Sequence, residues 1–148
     1  MSSLFAEILD KIDQVPVRRT DVQRLLGKME HDLQAAENEE ATDWIIKKVH
    51  EAILNGCTAV MAAQGYRAKL GSWHHYVTIR FAQLASPEHQ RLLDRAEMLR
   101  RRRHQVTYGA SFVVSEEEAK GVLELARRLA PIFKEAAMKA VAKGESER

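Results

Sequence analysis

Apolar residues recur at steps of three and four along most of this chain, the spacing that places side chains on one face of an α-helix. The first such stretch is short and ends at Pro16, and its residues Phe5, Ile8 and Ile12 share one face. Ser2 or Ser3 can cap the helix that it predicts. Because so short a helix is not stable alone, we expect residues 1–16 to dock on the body of the protein or on a second chain.

Two longer apolar faces follow, each preceded by residues that favour a helix start. The second predicted helix begins at Thr20 or Asp21. Its apolar face consists of Val22, Leu25, Leu26, Met29, Leu33 and Ala36. The third begins at Thr42 or Asp43 and continues to about residue 64. Its broader face consists of Ile45, Ile46, Val49, Ile53, Cys57 and Val60. That breadth predicts a helix at the centre of the core.

The next segment combines a loop with a short fourth helix. Gly65 lies where a left-handed C-terminal cap is expected. The loop 65–72 carries two glycines and two bases, which makes it a plausible rim for a site. Ser72 is expected to cap the fourth helix, from Trp73 to about Ala85. The residues expected to face inward are Trp73, Tyr76, Val77, Phe81 and Leu84.

The fifth helix has a strong start signal, because Ser86, Pro87 and Glu88 supply a cap, a first-turn proline and an acid on the helix dipole. We expect this helix to stop near Gly109. Its apolar face consists of Leu92, Ala96, Leu99 and Val106.

The last helix is predicted from a capping box formed by Ser115 and Glu118. Its apolar side consists of Val122, Leu123, Ala126, Leu129, Ile132, Phe133, Ala136 and Ala140. Pro131 interrupts this pattern, so we expect a kink or a break there. Residues 144–148 are expected to form a frayed tail.

These patterns predict an all-α fold, an up-and-down helical bundle of four main helices plus short accessory helices. No stretch alternates with period two for long enough to predict a sheet strand. The 148 residues suit one domain, residues 1–148. No apolar stretch reaches membrane-spanning length and the N-terminus lacks a secretory pattern, so we expect a cytoplasmic protein that does not bind membranes.

Composition and charge narrow the chemistry further. A net charge of +2 is too small to imply binding to nucleic acid by bulk attraction, so a basic surface must be local. Cys57 is the only cysteine, which excludes an intrachain disulfide and a thiolate metal cluster. Neither a metal site nor a cofactor is predicted. The clear basic candidate is the run from Arg100 to His104.

Arg103 is the most unusual residue of that run, because it continues the apolar face between Leu99 and Val106. An unpaired buried charge costs several kcal/mol, as an order of magnitude. Either a core acid pairs with the guanidinium, or it faces a cleft that receives an anion. The candidate acids are Glu30, Asp43 and Glu51. Arg100 flanks the face and is a candidate ligand-binding residue, whereas Arg101 and Arg102 are expected to be solvated.

Four further residues are candidates for the same cleft. Arg67 is one of the loop bases, and His74 and His75 begin the fourth helix. The adjacent histidines either form a solvated helix start or send one imidazole toward the arginine helix as a proton-transfer group. Tyr108 either caps the fifth helix under the loop or presents its phenol to the cleft.

The stretch Leu99 to Tyr108 resembles the signature of HEPN domains, small helical bundles that bind nucleotides and often cut RNA. That motif is an arginine, often followed by asparagine, with a histidine four to six residues after the arginine. Arg103 matches the arginine, His104 stands at the asparagine position, and Tyr108 occupies the histidine position. The resemblance extends from about Asp21 to Ala140. It includes Asp43-Trp44, Gly65 to Arg67, Gly71 to His75 and Ser115 to Ala119.

The resemblance implies a homodimer in which two motif helices meet at one composite, positively charged cleft. In active relatives the arginine holds the scissile phosphate, and the histidine helps to activate the ribose 2′-hydroxyl without a metal. A tyrosine, with a pKa near 10, is a poor base at neutral pH. His104 lies about 100° around the helix from Arg103. It can therefore substitute only if that edge also lines the cleft.

Two functions remain open at this point. The first is a dimeric nucleotide- or RNA-binding module, non-catalytic or weakly active, in a defence or toxin–antitoxin setting. There a partner nucleotidyltransferase would modify Tyr108. The alternative is a metal-independent endoribonuclease, a toxin or defence effector that uses Arg103 with His104 or Tyr108. A plain bundle, in which Arg103 only pairs with a core acid, is the third possibility.

Overall fold

The structure is a computed structural model that describes residues 3–71, 73–108 and 113–147. The helices are α1 (Arg19–Glu37), α2 (Thr42–Ala63), α3 (His74–Ala85), α4 (Gln90–Tyr108) and α5 (Glu116–Ser146). Short 3₁₀ helices span Ser3–Lys11 and Pro87–His89. Two short strands are β1 (Ile12–Gln14) and β2 (Tyr66–Ala68). The predicted all-α fold class is confirmed.

Helix α2 lies at the centre, as its broad apolar face predicts. It packs mainly against α1 and α5 on one side, and against α3 and α4 on the other. Its fully buried side chains include Ile46, Val49, His50, Ile53 and Cys57. A helix that is covered on both sides excludes water from any polar group on its inner faces.

The contact among α1, α2 and α5 is close because residue 56 of α2 is a glycine. A Cβ placed on Gly56 would lie 2.3 Å from Cδ2 of Phe133 and 2.8 Å from Sδ of Met29. Phe133 and Met29 are both buried in the main core, so an added methyl group would have to displace packed side chains. The glycine therefore sets the spacing of the three helices.

The N-terminal segment docks on the body of the protein, one of the two outcomes expected for it. Phe5 stacks on Phe81 of α3, with ring centroids 4.3 Å apart and planes at 6°. The residues buried in this second cluster are Phe5, Ile8, Ile12, Met61, Val77 and Phe81. The segment is a 3₁₀ helix followed by a strand, rather than one α-helix.

The expectation that the chain has no strand is wrong, since residues 12–14 and residues 66–68 of the predicted loop 65–72 form two short strands. β1 pairs antiparallel with β2, with Ile12 opposite Ala68 and Gln14 opposite Tyr66. Strands of three residues are too short for a period of two to be visible in the sequence. Gly65 makes the turn into β2 with φ of +87°, the left-handed conformation expected of it.

Several predicted caps differ from those observed. Helix α1 starts after Arg18 and α2 after Ala41, neither with a side-chain cap. The Thr42 hydroxyl instead donates to the carbonyl of Val114, 2.7 Å away, which ties α2 to the segment before α5. The capping box is confirmed, since the Glu118 N–H donates to Ser115 Oγ at 3.0 Å. The predicted caps Ser2 and Ser72 lie outside the described residues.

Helix α5 continues past Pro131, so of the two predicted outcomes, a kink or a break, the break is wrong. Pro131 lies on the exposed side of the helix, where water can hydrate the carbonyl left without an N–H partner. The helix extends through Ser146, and the expected fraying of residues 144–148 stays a prediction. Glu145 in this last turn accepts two hydrogen bonds from Arg19 of α1.

One of the predicted inward residues of α3 has a different environment, whereas those of α4 are buried or partly buried in the core. Trp73 is 43% exposed rather than buried, whereas Val77 and Phe81 are buried as expected. On α4, Ala96 and Leu99 are buried, and Leu93 joins them in the core. None of the helices in the described ranges has the length and apolar character needed to cross a membrane.

We predict that Gly56→Ala lowers the free energy of unfolding by about 1–3 kcal/mol, the usual cost of overpacking a core. Urea denaturation measures this change. The matched control is Gly27→Ala in α1, where an added Cβ would meet nothing within 4 Å. That control should be neutral or stabilising, because alanine favours helix by about 1 kcal/mol over glycine. Equal effects of the two substitutions would contradict the close contact at Gly56.

Candidate functional site

A cleft of about 520 Å³ opens where α2, α3 and α4 meet the segment that follows β2. Basic and imidazole side chains dominate its wall. The lining residues are His50, Leu70, Gly71, His74, His75, Arg100, Arg103 and His104. Among the described residues that line it, none is acidic. The cleft therefore has the charge of an anion site.

Arg103 contributes to this wall a guanidinium that has no hydrogen-bond or ion-pair partner among the described residues. The residue is half-buried, and its Nε is a buried atom with no hydrogen-bond partner among the described residues. It makes no ion pair with an acid in the described part of the chain. Its side chain lines the cleft on the same side of α4 as the neighbouring His104.

The core acids considered as partners of Arg103 have other environments. Glu30 is exposed and lies 3.9 Å from Lys134 Nζ. Glu51 is half-buried, and burial raises the pKa of its carboxyl, although the charge of Arg103 acts in the opposite direction. Asp43 lies in the first turn of α2. The interpretation of Arg103 as part of a core ion pair is therefore not supported.

The other arginines of the run are held by acids. Arg100 lines the cleft, but its Nε and Nη2 donate to the Glu97 carboxylate at 2.7 Å each. Arg100 also lies over the Tyr76 ring, 5.7 Å from its centroid. Arg101 is exposed, as predicted, and contacts Glu97 at 3.3 Å.

The prediction that Arg102 is solvated is wrong. Its Nε and Nη2 donate to the Glu118 carboxylate at 2.6 and 2.9 Å, and Nη2 also donates to the Val113 carbonyl at 3.0 Å. Arg102 points away from the cleft side and ties the end of α4 to the start of α5. Four consecutive arginines thus have three different roles, because each is rotated about 100° from the last.

His50 is the residue of the cleft that our sequence analysis missed. It is fully buried on α2, and its Nε2 lies 3.3 Å from Nδ1 of His75. Burial lowers the pKa of His50 to about 3, with the charges of His75, Arg103 and Arg100 adding to the effect. His50 is therefore neutral at physiological pH, and its Nδ1 has no partner among the described residues.

A signal for His50 was present in the sequence. It continues the series Ile46, His50, Ile53 on the apolar face of α2, just as Arg103 continues the face of α4. A polar residue on the most buried face of a bundle has to find a partner there. The partner in this chain is a histidine 25 positions away, which the sequence pattern alone does not identify.

The two histidines at the start of α3 both lie on the cleft. His74 and His75 are half-buried, with ring centroids 5.6 Å apart. Burial lowers the pKa of His75, and the charges of His74, Arg103 and Arg100 lower it further. The alternative in which the two histidines form a solvated helix start is therefore not observed, because His75 contacts the core histidine His50. The N-terminus of α3 also directs its positive dipole end toward this region.

Two of the predicted site residues, Arg67 and Tyr108, are not among the described residues that line the cleft. Arg67 is exposed on β2, 3.8 Å from Asp13, and does not line the cleft. The side chain of Tyr108 and residue Gly109 lie outside the described residues. Within the described ranges, no three His, Cys, Asp or Glu side chains are grouped so as to hold a metal ion.

We predict that the free energy of unfolding falls as the pH drops below about 6.5, by about 2 kcal/mol at pH 5. The unfolded chain accepts a proton on His50 near pH 6.5, whereas the folded chain does so only near pH 3. Stability is therefore complete above pH 6.5 and is lost as the pH falls toward 3.

Urea denaturation at a series of pH values tests this. His50→Gln should flatten the dependence even if it lowers stability overall, and the matched control His31→Gln, an exposed histidine of α1, should not. An unchanged slope in His50→Gln would show that His50 titrates normally in the folded chain.

The family of the chain follows from a match that contains the whole cleft. Residues 19–136 match the HEPN domain model, from the first residue of α1 into α5. All the residues that line the cleft fall inside that range. Comparisons with curated proteins and with solved structures gave no match. The resemblance seen in the sequence is therefore confirmed, and this chain belongs to the HEPN domain family.

Proposed function

We propose that this protein binds the phosphate groups of a nucleotide or RNA in the cleft beside Arg103. HEPN domains are generally nucleotide- or RNA-binding modules and often resemble ribonucleases. In this chain the proposal depends on one observation: the Arg103 guanidinium lies in a wall of bases and imidazoles, with no described acid to pair with it.

The free-energy cost of a buried guanidinium donor without an acceptor favours the binding of an anionic ligand. A buried donor without an acceptor costs about 1–3 kcal/mol, and more when the group is charged. A phosphate supplies acceptors in the planar fork geometry that an arginine presents. Ligand binding thus removes a cost that the free protein carries, which strengthens the interaction.

The neutral imidazoles add hydrogen-bonding capacity without adding repulsion between cations. His50 stays uncharged and contacts His75, which helps to fix the orientation of that ring. His75 can donate or accept at neutral pH and gains a positive charge as the pH falls. Arg100 is neutralised by Glu97, so Arg103 carries the charge that a phosphate meets first.

A second function, RNA cleavage, is favoured by the position of His104. We predicted that it could replace the missing motif histidine only if its edge of α4 lined the cleft, and His104 does line it together with Arg103. Cleavage without a metal needs one group to take the proton of the 2′-hydroxyl and another to protonate the departing 5′-oxygen. His104 and His75 are the candidates for these two roles.

We also propose that the protein forms a homodimer and has a nucleotidyltransferase partner, as the family resemblance implies. Met98 of α4 is 67% exposed beside a shallow groove of about 280 Å³ between α4 and α5, a surface that a second copy could cover. Modification of Tyr108 by a nucleotidyltransferase stays a prediction, because the side chain of Tyr108 lies outside the described residues.

We predict that Arg103→Ala weakens binding of a single-stranded oligoribonucleotide by about 10- to 100-fold. That factor corresponds to the loss of a charge-assisted hydrogen bond worth about 1.5–3 kcal/mol. Fluorescence anisotropy measures the dissociation constant. Arg101→Ala removes the same charge from an exposed position of the same helix and should change the constant by less than about threefold. Equal losses in the two variants would mean that only the overall charge of α4 matters.

The cleavage function is tested separately, with mixed RNA in the presence of a metal chelator. If it holds, wild type cuts RNA, and His104→Ala lowers the rate by about 10²- to 10⁴-fold, the usual contribution of an acid–base group. Arg101→Ala should cut at the wild-type rate. Binding without cleavage by wild type would exclude the second function and leave the first intact.

A further inference from the structure

We propose that Trp73 and Leu70 form a nucleobase subsite at the mouth of the cleft, so that the ligand carries an unpaired base next to its phosphate. This inference rests on the proposed phosphate site and extends it. The ligand chemistry it requires is a base on a ribose phosphate, which either a free nucleotide or single-stranded RNA supplies.

Both residues leave large apolar side chains in water beside a charged cleft. Trp73 is 43% exposed, and Leu70, which lines the cleft, is 92% exposed. Six large apolar side chains are exposed in the described part of the chain; of these, Leu70 lines the cleft and Trp73 contacts Gly71, which lines it too. Apolar surface bordering a polar site is typical of ligand pockets.

The position of the Trp73 ring follows from its contact with Gly71. A Cβ placed on Gly71 would lie 2.9 Å from Cε2 and Cζ2 of Trp73, closer than real Cβ contacts allow. The six-membered ring therefore lies directly against the Gly71 backbone, and Gly71 is part of the cleft wall. Trp73 is also the residue before α3, immediately preceding His74 and His75.

An indole at that place can stack on a base whose phosphate occupies the cleft. Stacking of a base on an aromatic ring contributes about a five- to 150-fold gain in affinity and tolerates every base. The neighbouring Tyr76 is less available, because Arg100 lies over its ring at 5.7 Å. Trp44, the second tryptophan of the chain, is 51% exposed but lies on α2 with Lys47 over its ring, and among the described residues it has no contact with the cleft wall such as the one between Trp73 and Gly71. It is a matched control.

The first experiment separates the base from the phosphate. The probes are a labelled oligouridylate and an abasic ribose-phosphate strand of the same length, with binding followed by anisotropy. Wild type should prefer the base-bearing strand by at least about fivefold. Trp73→Ala should reduce that preference to within about twofold without changing the affinity for the abasic strand. Trp44→Ala should leave both affinities unchanged.

A second readout reports stacking directly. In Trp44→Phe, Trp73 is the only remaining tryptophan of the two. Addition of the oligouridylate should quench its fluorescence, and addition of the abasic strand should not. Competition by AMP identifies a free nucleotide as a sufficient ligand, whereas binding of the strand without competition by AMP identifies RNA.

The outcomes distinguish this inference from the phosphate site. Arg103→Ala should weaken both strands by a similar factor, because it acts on the shared backbone. If Arg103→Ala weakens the binding of both strands but Trp73→Ala still prefers the base-bearing strand, the proposed base subsite is wrong and the proposed phosphate site stands. If wild type binds neither strand nor AMP, both proposals fail.

Discussion

The structure depends on the enclosure of α2 by its neighbours on two sides. Gly56 allows α1 and α5 to approach one side, and α3 and α4 cover the other, so His50 has no access to water. That exclusion keeps the imidazole neutral and holds it against His75. The same enclosure places the charge of Arg103 close to His50 and His75, and no described acid forms an ion pair with it. The positive character of the cleft is thus a product of helix packing, since the net charge of the chain is only +2.

Most of the architecture was predictable, because helix formation and burial both follow from apolar periodicity. The central place of α2 and the Ser115 cap are examples, and each depends on residues near one another in the sequence. The β1–β2 pair was not predictable, since it joins segments about fifty residues apart through backbone hydrogen bonds. The continuity of α5 through Pro131 depends on which side of the helix faces solvent, which periodicity around a proline does not resolve.

The site could be predicted only in part. A charge on an apolar face points to Arg103, whereas a histidine, which need not be charged, gives a weaker signal on the longer apolar face of α2. Arg102 was misjudged because its partner, Glu118, comes from another helix. A run of identical residues contains no information about which member meets which neighbour. Arg67 has the right charge for the cleft, yet strand pairing directs it to Asp13.

The small sheet joins the N-terminal segment, which lies outside the family match, to one wall of the cleft. β1 lies before residue 19, where the family match begins, yet it holds β2, and the Lys69 N–H donates to the Lys11 carbonyl at 2.8 Å. Leu70 and Gly71 follow directly on the wall of the cleft. The N-terminal segment therefore supports one wall of the cleft. A change in that segment can alter one wall of the cleft while α4 keeps its sequence.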